Sequence, residues 1–238
     1  MIIPAKDEAD RIAATVKAAQ ELPGAGLVVV VDDGSSDATG RVAREAGARV
    51  VRHSRNRGKG AAMETGAEAV RLLDDDLDRP RHLLFLDADL AETARDAAPL
   101  VEPVLAGDAD MTIAVFSTTV KLGGHGFVVR LSREGIRRAT GWEPDAPLNG
   151  QRCLTRAAFD AALPLAAGFG VETALTIDLL RQGFRVREVE VPLAHRATGT
   201  DWRAQLHRGR QFRDVARALA VREPAVARRL SRARGSRP

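Results

Sequence analysis

Two aspartates separated by a single residue are the part of this chain whose chemistry is easiest to interpret. Asp87 and Asp89 follow directly after the apolar residues 83–86. A continuous apolar run of this length predicts a strand buried on both faces, and the carboxyl ends of such strands are where open α/β sheets bind ligands. If the extended backbone continues to Asp89, both carboxylates point to the same side. Their hard oxygen atoms would then suit Mg²⁺ or Mn²⁺ bound to a diphosphate.

Other acidic residues follow the strands that we predict earlier in the chain. Apolar runs at residues 2–5 and 27–31 predict two strands, each followed by a predicted helix. Strand–helix units with short loops form parallel sheets, so the residues after these strands are expected at the same sheet edge as Asp87 and Asp89. Carboxylates gathered at one edge repel each other unless a cation or hydrogen-bond donors lie among them, which supports a metal site. The additional acidic residues are Glu8, Asp32 and Asp33.

A lysine between two glycines begins the next predicted helix, which runs from Gly58 to about residue 73. Glycines let the backbone approach a phosphate closely, and the N-terminus of a helix presents free amides. Lys59 adds a positive charge, so a diphosphate is the expected ligand. A P-loop needs four residues between its glycines and a Ser or Thr after the lysine, and this segment has neither.

The composition is that of an ordinary globular protein. The 238 residues are 45% hydrophobic and 29% charged, and no apolar run approaches the roughly 18 residues of a membrane span. The single cysteine, Cys153, excludes an internal disulfide and a zinc–cysteine cluster, and it fits a reducing cytoplasm. We therefore expect a cytoplasmic α/β protein with one domain in residues 1–201.

The net charge of +4 is distributed unevenly along the chain. Residues 202–238 contain eleven arginines and two acidic residues, so they carry +9 and the rest of the chain carries −5. This segment predicts a basic amphipathic helix followed by a tail. It could contact anionic lipid at the inner membrane face, form a homodimer or pack on the domain. Aromatic residues make up only 4% of the chain and tyrosine is absent, which argues against nucleic acid as a partner.

Four segments, taken in order, resemble the family 2 glycosyltransferases. The likeness covers a donor half of about residues 1–120 and implies the GT-A fold, a Rossmann-like, mostly parallel sheet flanked by helices in a single domain. This half is similar to the polyprenyl-phosphate sugar transferases, and three segments of the acceptor half, about residues 121–201, are similar to the retaining glucosyl-3-phosphoglycerate synthases. The four donor segments are residues 3–8, 31–37, 56–60 and 86–90, and the three acceptor segments are residues 147–151, 168–172 and 193–196.

The resemblance implies that the protein uses Mg²⁺ or Mn²⁺ to move a sugar from a UDP- or GDP-sugar to a polyprenyl phosphate or a small phosphorylated acid. Lys59 would meet the diphosphate, while Asp87 and Asp89 would bracket the sugar and the metal. Asp89 would be the direct metal ligand, with His195 as a further one. The residues that would contact the base and ribose are Pro4, Ala5, Glu8 and Asp33, with Asp32 beside them.

The acceptor half offers fewer assignments. Glu172 lies in the first turn of a predicted helix and is our candidate for the general base of an inverting transfer, or it orients the acceptor. A retaining enzyme could use the leaving phosphate instead. A small phosphorylated acid would need an arginine clamp, which Arg130 and Arg133 could supply. Asn149 and Gly150 belong to one of the acceptor segments, and we place them at the acceptor.

Two other functions stay open on the sequence. A sugar-nucleotidyltransferase shares the nucleotide-binding sheet, but it would need a glycine-rich loop after the first strand, where residues 4–8 are acidic and contain no glycine. A non-catalytic module that binds polyanions through the basic tail would show salt-sensitive binding that Asp89→Asn leaves unchanged.

Overall fold

The computed structural model describes residues 1–24, 26–74, 79–116, 126–192 and 202–222, and only the backbone of residues 202–208. The strands of its sheet are β1 (Ile2–Ala5), β2 (Val29–Asp32), β3 (Arg49–Arg52), β4 (Leu83–Phe85), β5 (Met111–Phe116), β6 (Arg152–Leu154) and β7 (Val186–Val191). The helices are α1 (Ile12–Gln20), α2 (Thr39–Glu45), α3 (Lys59–Leu73), α4 (Glu102–Leu105), α5 (Gly126–Thr140), α6 (Arg156–Ala161), α7 (Val171–Arg181) and α8 (Trp202–Arg222), with 3₁₀ helices at Ala91–Leu100 and Gly168–Gly170. Helices cover both faces of the sheet, which confirms the predicted α/β class.

The strand order is β3-β2-β1-β4-β6-β5-β7. Strands β1, β2, β3 and β4 pair in parallel, as do β5 and β7. Strand β6 is antiparallel to both of its neighbours, with Phe85 of β4 opposite Arg152. The chain therefore enters β6 at the same edge where β4 ends. This antiparallel insertion brings residues 149–151 beside the end of β4, although they are far from it in the sequence.

The core forms two apolar layers, one on each face of the sheet. Ile3 and Val30 face α1, while Ile2, Val31 and Phe85 face α3, α6 and α7. Strand β2 is buried on both faces along its whole length, as its unbroken apolar run predicts. Burying each of these large side chains contributes about 1.5–3 kcal/mol to the free energy of unfolding.

Helix α3 lies very close to the sheet because it carries a glycine where it crosses β1. A Cβ atom on Gly66 would come within 2.4 Å of the Ile2 side chain. This close approach places the N-terminus of α3, with Lys59, at the carboxyl edge of β1 and β2.

Strand β4 ends earlier than the sequence suggests. The extended backbone stops at Phe85, and Ala88 and Asp89 form a turn, so the idea that alternation along one strand orients both aspartates is wrong. Thr15 holds this turn: its hydroxyl donates to the Ala88 carbonyl (2.8 Å) and accepts from the Ala91 amide (2.9 Å). Ala91 adopts a positive φ of 49°, which bends the chain away from the sheet.

Strand β7 lies at the edge of the sheet, as the alternation of charged and apolar residues in its sequence predicts.

The C-terminal helix packs on other helices. Helix α8 contacts α5, α7 and the 3₁₀ turn Gly168–Gly170, and its Val215 is fully buried. Arg222, at the end of α8, forms an ion pair with Asp178 of α7. In the part of the chain that the structure describes, every helix is too short or too polar to cross a membrane.

Candidate functional site

A central cavity of about 640 Å³ opens at the carboxyl edge of β1, β2 and β4. Its wall combines the loops after these strands with the start of α3, the turn before α7 and one residue of α8. The residues that line the central cavity are Pro4, Ala5, Lys6, Asp7, Glu8, Asp33, Asn56, Gly58, Lys59, Ala62, Asp87, Ala88, Asp89, Gly168, Phe169 and Arg210. All the predicted donor-side residues except Asp32 are therefore brought together around one cavity.

Lys59 is the centre of an ion-pair cluster in this wall. Its Nζ atom lies 2.7 Å from Asp87 Oδ1 and 3.0 Å from Glu172 Oε1. Burial alone would lower the pKa of Lys59, but the charges of Asp87 and Glu172 and their hydrogen bonds raise it well above its ordinary value. Lys59 therefore stays protonated and holds two carboxylates at one point, Asp87 from the loop after β4 and Glu172 from α7.

The segment before β6 completes this cluster. Gln151 is fully buried and its Nε2 donates to Asp87 Oδ2 at 2.8 Å. Gly150 lies against the ion pair, because a Cβ atom there would come within 2.2 Å of Lys59 Nζ and 2.9 Å of Asp87 Oδ1. Any larger residue at position 150 would thus push Lys59 away from Asp87.

A buried arginine, Arg152, holds the segment before β6 in place. Arg152 has no exposed surface, and its guanidinium donates to the carbonyls of Asn149 (2.8 Å), Pro147 (3.2 Å) and Glu172 (3.1 Å) and to the Thr176 hydroxyl (2.9 Å). Burial lowers the pKa of Arg152 to about 10, so it remains a cation at neutral pH. It joins the loop before β6 to the first turn of α7 and fixes their spacing.

Asp33 shapes the loop that leads into α3. Its Oδ1 accepts the Arg57 amide at 2.8 Å and lies 2.7 Å from His53 Nδ1, while Oδ2 accepts the Gly58 amide at 2.8 Å. Gly58 has a φ of +91°, a conformation that glycine adopts without strain. Asp33 is 5% exposed and faces the central cavity, so this carboxylate both forms the glycine–lysine turn and reaches the predicted nucleoside site.

The carboxylates of Asp32 and Asp7 differ in their access to the central cavity. Asp32 is buried behind the cavity wall, where Oδ1 accepts the Ser35 amide at 2.8 Å and Oδ2 lies 3.4 Å from Arg52 Nε. Asp7 lines the cavity and accepts from the Ser36 amide. The hydrogen bond from Lys6 and those from Ser36 lower the pKa of Asp7 to about 2, so it is ionised at neutral pH.

The metal prediction rests on Asp87 and Asp89, which both line the central cavity. Among the described residues, no group of three or more His, Cys, Asp or Glu side chains is arranged to hold a metal ion. Two carboxylates do fit Mg²⁺, which is commonly bound by one or two protein carboxylates together with substrate phosphates and water. His195, the further ligand that the resemblance implies, lies outside the described residues.

Two of the predicted acceptor residues, Arg133 and Asn149, use their side chains for hydrogen bonds within the protein. Arg133 donates to the carbonyls of Pro144 (2.7 Å) and Asp145 (2.9 Å), and Asn149 Nδ2 donates to the Ala114 carbonyl at 2.7 Å. Arg130 is exposed on α5 and does not belong to the wall of the central cavity described above. Within the described residues, only Gly150 of the four predicted acceptor residues touches the Lys59 cluster.

Gln151, Arg152 and Arg210 contribute to the site although the sequence assigns no role to their side chains. Gln151 and Arg152 give a local signal, since two polar residues stand where a buried strand begins. Arg210 gives none, because it is one of eleven arginines in a basic segment and only the packing of α8 brings it to the cavity.

Comparison with known proteins agrees with this geometry. The protein-family model described as glycosyl transferase family 2 matches residues 1–157 of this chain. Glycosyltransferase AglJ of Haloferax volcanii is 30% identical over 208 residues, which cover 84% of this chain and 64% of that protein. The chain spans between 44% and 64% of the length of the curated relatives that it matches.

Solved structures show the same fold. Glucosyl-3-phosphoglycerate synthase from Mycobacterium tuberculosis, in complex with Mg²⁺ and UDP, has a TM-score of 0.75 and 25% identity and covers 93% of this chain and 77% of its own. A complex of that enzyme with Mn²⁺, UDP-glucose and phosphoglyceric acid has a TM-score of 0.72 and 25% identity, covering 93% and 78%. The matching model, the relatives and the sheet with its acidic edge agree that this chain belongs to glycosyltransferase family 2 and has the GT-A fold.

Proposed function

We propose that this protein is a metal-dependent glycosyltransferase that moves a hexose from a UDP- or GDP-sugar to a phosphorylated acceptor. The observation that carries the proposal is the Lys59 cluster: Lys59 lines the cavity together with Asp87 and Asp89, and it pairs with both Asp87 and Glu172. A cation and carboxylates at that point suit the departure of a nucleoside diphosphate. Family membership argues against the two alternatives, a nucleotidyltransferase and a polyanion-binding module.

The central cavity is large enough for a nucleotide sugar, since ligand sites of this kind span about 300–1,000 Å³. The loops after β1 and β2 would bind the nucleoside through Pro4, Ala5, Glu8 and Asp33. The N-terminus of α3 would bind the diphosphate with its free amides and Lys59. The mycobacterial relative binds UDP, which favours a uridine donor.

Asp89 would be the direct ligand of Mg²⁺ or Mn²⁺ against the diphosphate, with His195 as a further ligand, and Asp87 would lie beside it at the sugar. A bound ion of this kind neutralises charge that develops on the leaving phosphate. Lys59 would add a second positive charge at the same place. Because Lys59 is paired with Asp87 and Glu172 before the donor binds, it can exchange a carboxylate for a phosphate oxygen without leaving the cluster.

Glu172 would act on the acceptor side of the sugar. It is 7% exposed and its carboxylate is held by Lys59, so its position is fixed by the same cluster that binds the diphosphate. In an inverting transfer it would take the acceptor proton, and in a retaining transfer it would orient the acceptor while the leaving phosphate takes the proton. The anomeric configuration of the product distinguishes these two roles.

The acceptor that we favour is a small phosphorylated acid, because the related mycobacterial enzyme has been crystallised with phosphoglyceric acid. A polyprenyl phosphate is the second candidate. It rests on the likeness of the donor half to the polyprenyl-phosphate transferases and on the charge of residues 202–238.

The experiment that tests the proposal measures donor hydrolysis and transfer to phosphoglyceric acid with UDP-, GDP- and ADP-sugars and Mg²⁺ or Mn²⁺. We expect one donor to be hydrolysed slowly, and Asp89→Asn to lower that rate about a hundredfold or more because a metal ligand is lost. Asp108→Asn, on an exposed loop, is the matched control and should retain the wild-type rate. Full activity of Asp89→Asn, or no reaction with any donor, would contradict the proposal.

A further inference from the structure

Helix α8 contributes a cation to the wall of the central cavity. Arg210 lines that wall together with Gly168 and Phe169 of the turn before α7. The family match ends at residue 157, so neither α8 nor Arg210 belongs to the matched region. The site thus includes an arginine that no motif of the donor half supplies.

The docking of α8 is specific and depends on two glycines. The Phe169 amide donates to Asp214 Oδ2 at 3.2 Å. Gly168, at a φ of +68°, leaves room for that carboxylate, since a Cβ atom there would come within 2.2 Å of Asp214 Oδ2. A Cβ atom on Gly170 would come within 2.6 Å of the Asp214 carbonyl. The backbone of the turn before α7 is therefore in direct contact with α8.

The same contact aims Arg210 at the cavity. Residues four apart lie on one face of a helix, so Arg210 is on the face that Asp214 presents to the turn before α7. Asp214 pairs with its neighbour Arg213 at 3.3 Å. In the described part of the chain, no carboxylate lies within ion-pair distance of Arg210.

The other cations of the wall already have carboxylate partners. Lys6 pairs with Asp7 at 2.6 Å, and Lys59 pairs with Asp87 and Glu172. Arg210 is therefore the cation of the described wall that remains available to an anionic ligand. A guanidinium also matches a phosphate group with two parallel hydrogen bonds, which an ammonium group cannot do.

We infer that Arg210 binds a phosphate group of the substrate in the central cavity and that Asp214 is the positioning residue that aims it there. The inference rests on the proposed function, because it assumes a phosphate-bearing substrate. That phosphate belongs either to the donor diphosphate or to the phosphorylated acceptor.

Titration calorimetry on the full chain with Mg²⁺ distinguishes these sources. The first probes are UDP and UMP, or GDP and GMP if GDP binds the wild type more tightly. If Arg210 contacts the donor, Arg210→Gln should weaken binding of the diphosphate about tenfold, equivalent to about 1.4 kcal/mol, and leave the monophosphate unchanged. If it contacts the acceptor, diphosphate binding should be unchanged and phosphoglyceric acid should bind the nucleotide-loaded protein about tenfold more weakly.

Arg217→Gln is the matched control, because it removes the same charge from an exposed position on α8 and should change neither affinity. If Arg210→Gln equals the wild type with both kinds of probe, the inference is overturned although the proposed function stands. If the wild type binds no nucleoside diphosphate, the proposed function and this inference fall together.

Asp214 is tested with a conservative pair of variants. Asp214→Ala removes the acceptor of the Phe169 amide and should weaken phosphate binding as Arg210→Gln does, while Asp214→Asn keeps an acceptor oxygen and should restore most of it. Combining Asp214→Ala with Arg210→Gln should then add no further loss, because both act on one contact. A lower melting temperature of Asp214→Ala with wild-type affinity in the folded protein would show that Asp214 only stabilises the fold.

Discussion

Replacing Gly150 by alanine should damage the site while leaving the fold intact. The new Cβ atom would lie 2.2 Å from Lys59 Nζ, whereas ordinary van der Waals contact begins at 3.4 Å, so Nζ has to move by about 1.2 Å. The backbone of Gly150 is outside the left-handed region, and an alanine there causes no backbone strain. The clash therefore falls on the flexible end of Lys59.

The cost to stability is small. Separating Lys59 from Asp87 removes an ion pair whose side chains are each 28% exposed, which contributes about 1 kcal/mol or less. Replacing glycine by alanine restricts the unfolded chain and returns about 0.4–1 kcal/mol. These two effects nearly cancel, and the melting temperature should stay within a few degrees of the wild type.

The cost to activity is large. A displacement of about 1 Å in a group that positions the substrate can lower the rate about a hundredfold. We expect kcat/KM for donor hydrolysis to fall about 10- to 100-fold in Gly150→Ala. Gly26→Ala, where nothing lies within 4 Å of the added atom, is the control for the substitution itself.

A double-mutant cycle separates this mechanism from general damage. If alanine at position 150 acts by displacing Lys59, combining it with Lys59→Met should cost no more than Lys59→Met alone. Wild-type activity of Gly150→Ala would refute the reasoning. Loss of activity in parallel with loss of thermal stability would also refute it, because it would place the damage in the fold.

Two further predictions concern the buried Arg152 and the basic tail. Arg152→Met should lower the free energy of unfolding in urea by about 2–4 kcal/mol, because it removes the guanidinium donors to the buried carbonyls of Asn149 and Pro147. Arg152→Lys should recover part of this loss, and an unchanged urea midpoint for both variants would contradict the anchoring role. Residues 223–238 hold five arginines and one acidic residue, so their removal should reduce flotation of the protein with vesicles that contain anionic lipid, and equal flotation of both forms would exclude a membrane role for this tail.

The sequence was sufficient for the features that depend on neighbouring residues. Buried parallel strands read as unbroken apolar runs, and glycines beside a lysine mark the start of α3. Parallel pairing then requires that the ends of β1, β2 and β4 share an edge, so the sequence assigns Glu8, Asp32, Asp33, Asp87 and Asp89 to one sheet edge. The structure places all of them except Asp32 in the wall of the central cavity.

The tertiary structure alone decided how these residues are held. The turn at Asp89 depends on Thr15 of α1, which no local pattern reveals. Gly150 and Gln151 reach Asp87 because β6 inserts antiparallel beside β4, and Arg210 reaches the cavity because α8 docks on the turn at Gly168. These hydrogen bonds join residues that are between 45 and 76 positions apart in the sequence. Such contacts depend on strand order and helix packing, which are set by burial over the whole chain and not by the period or spacing of any one segment.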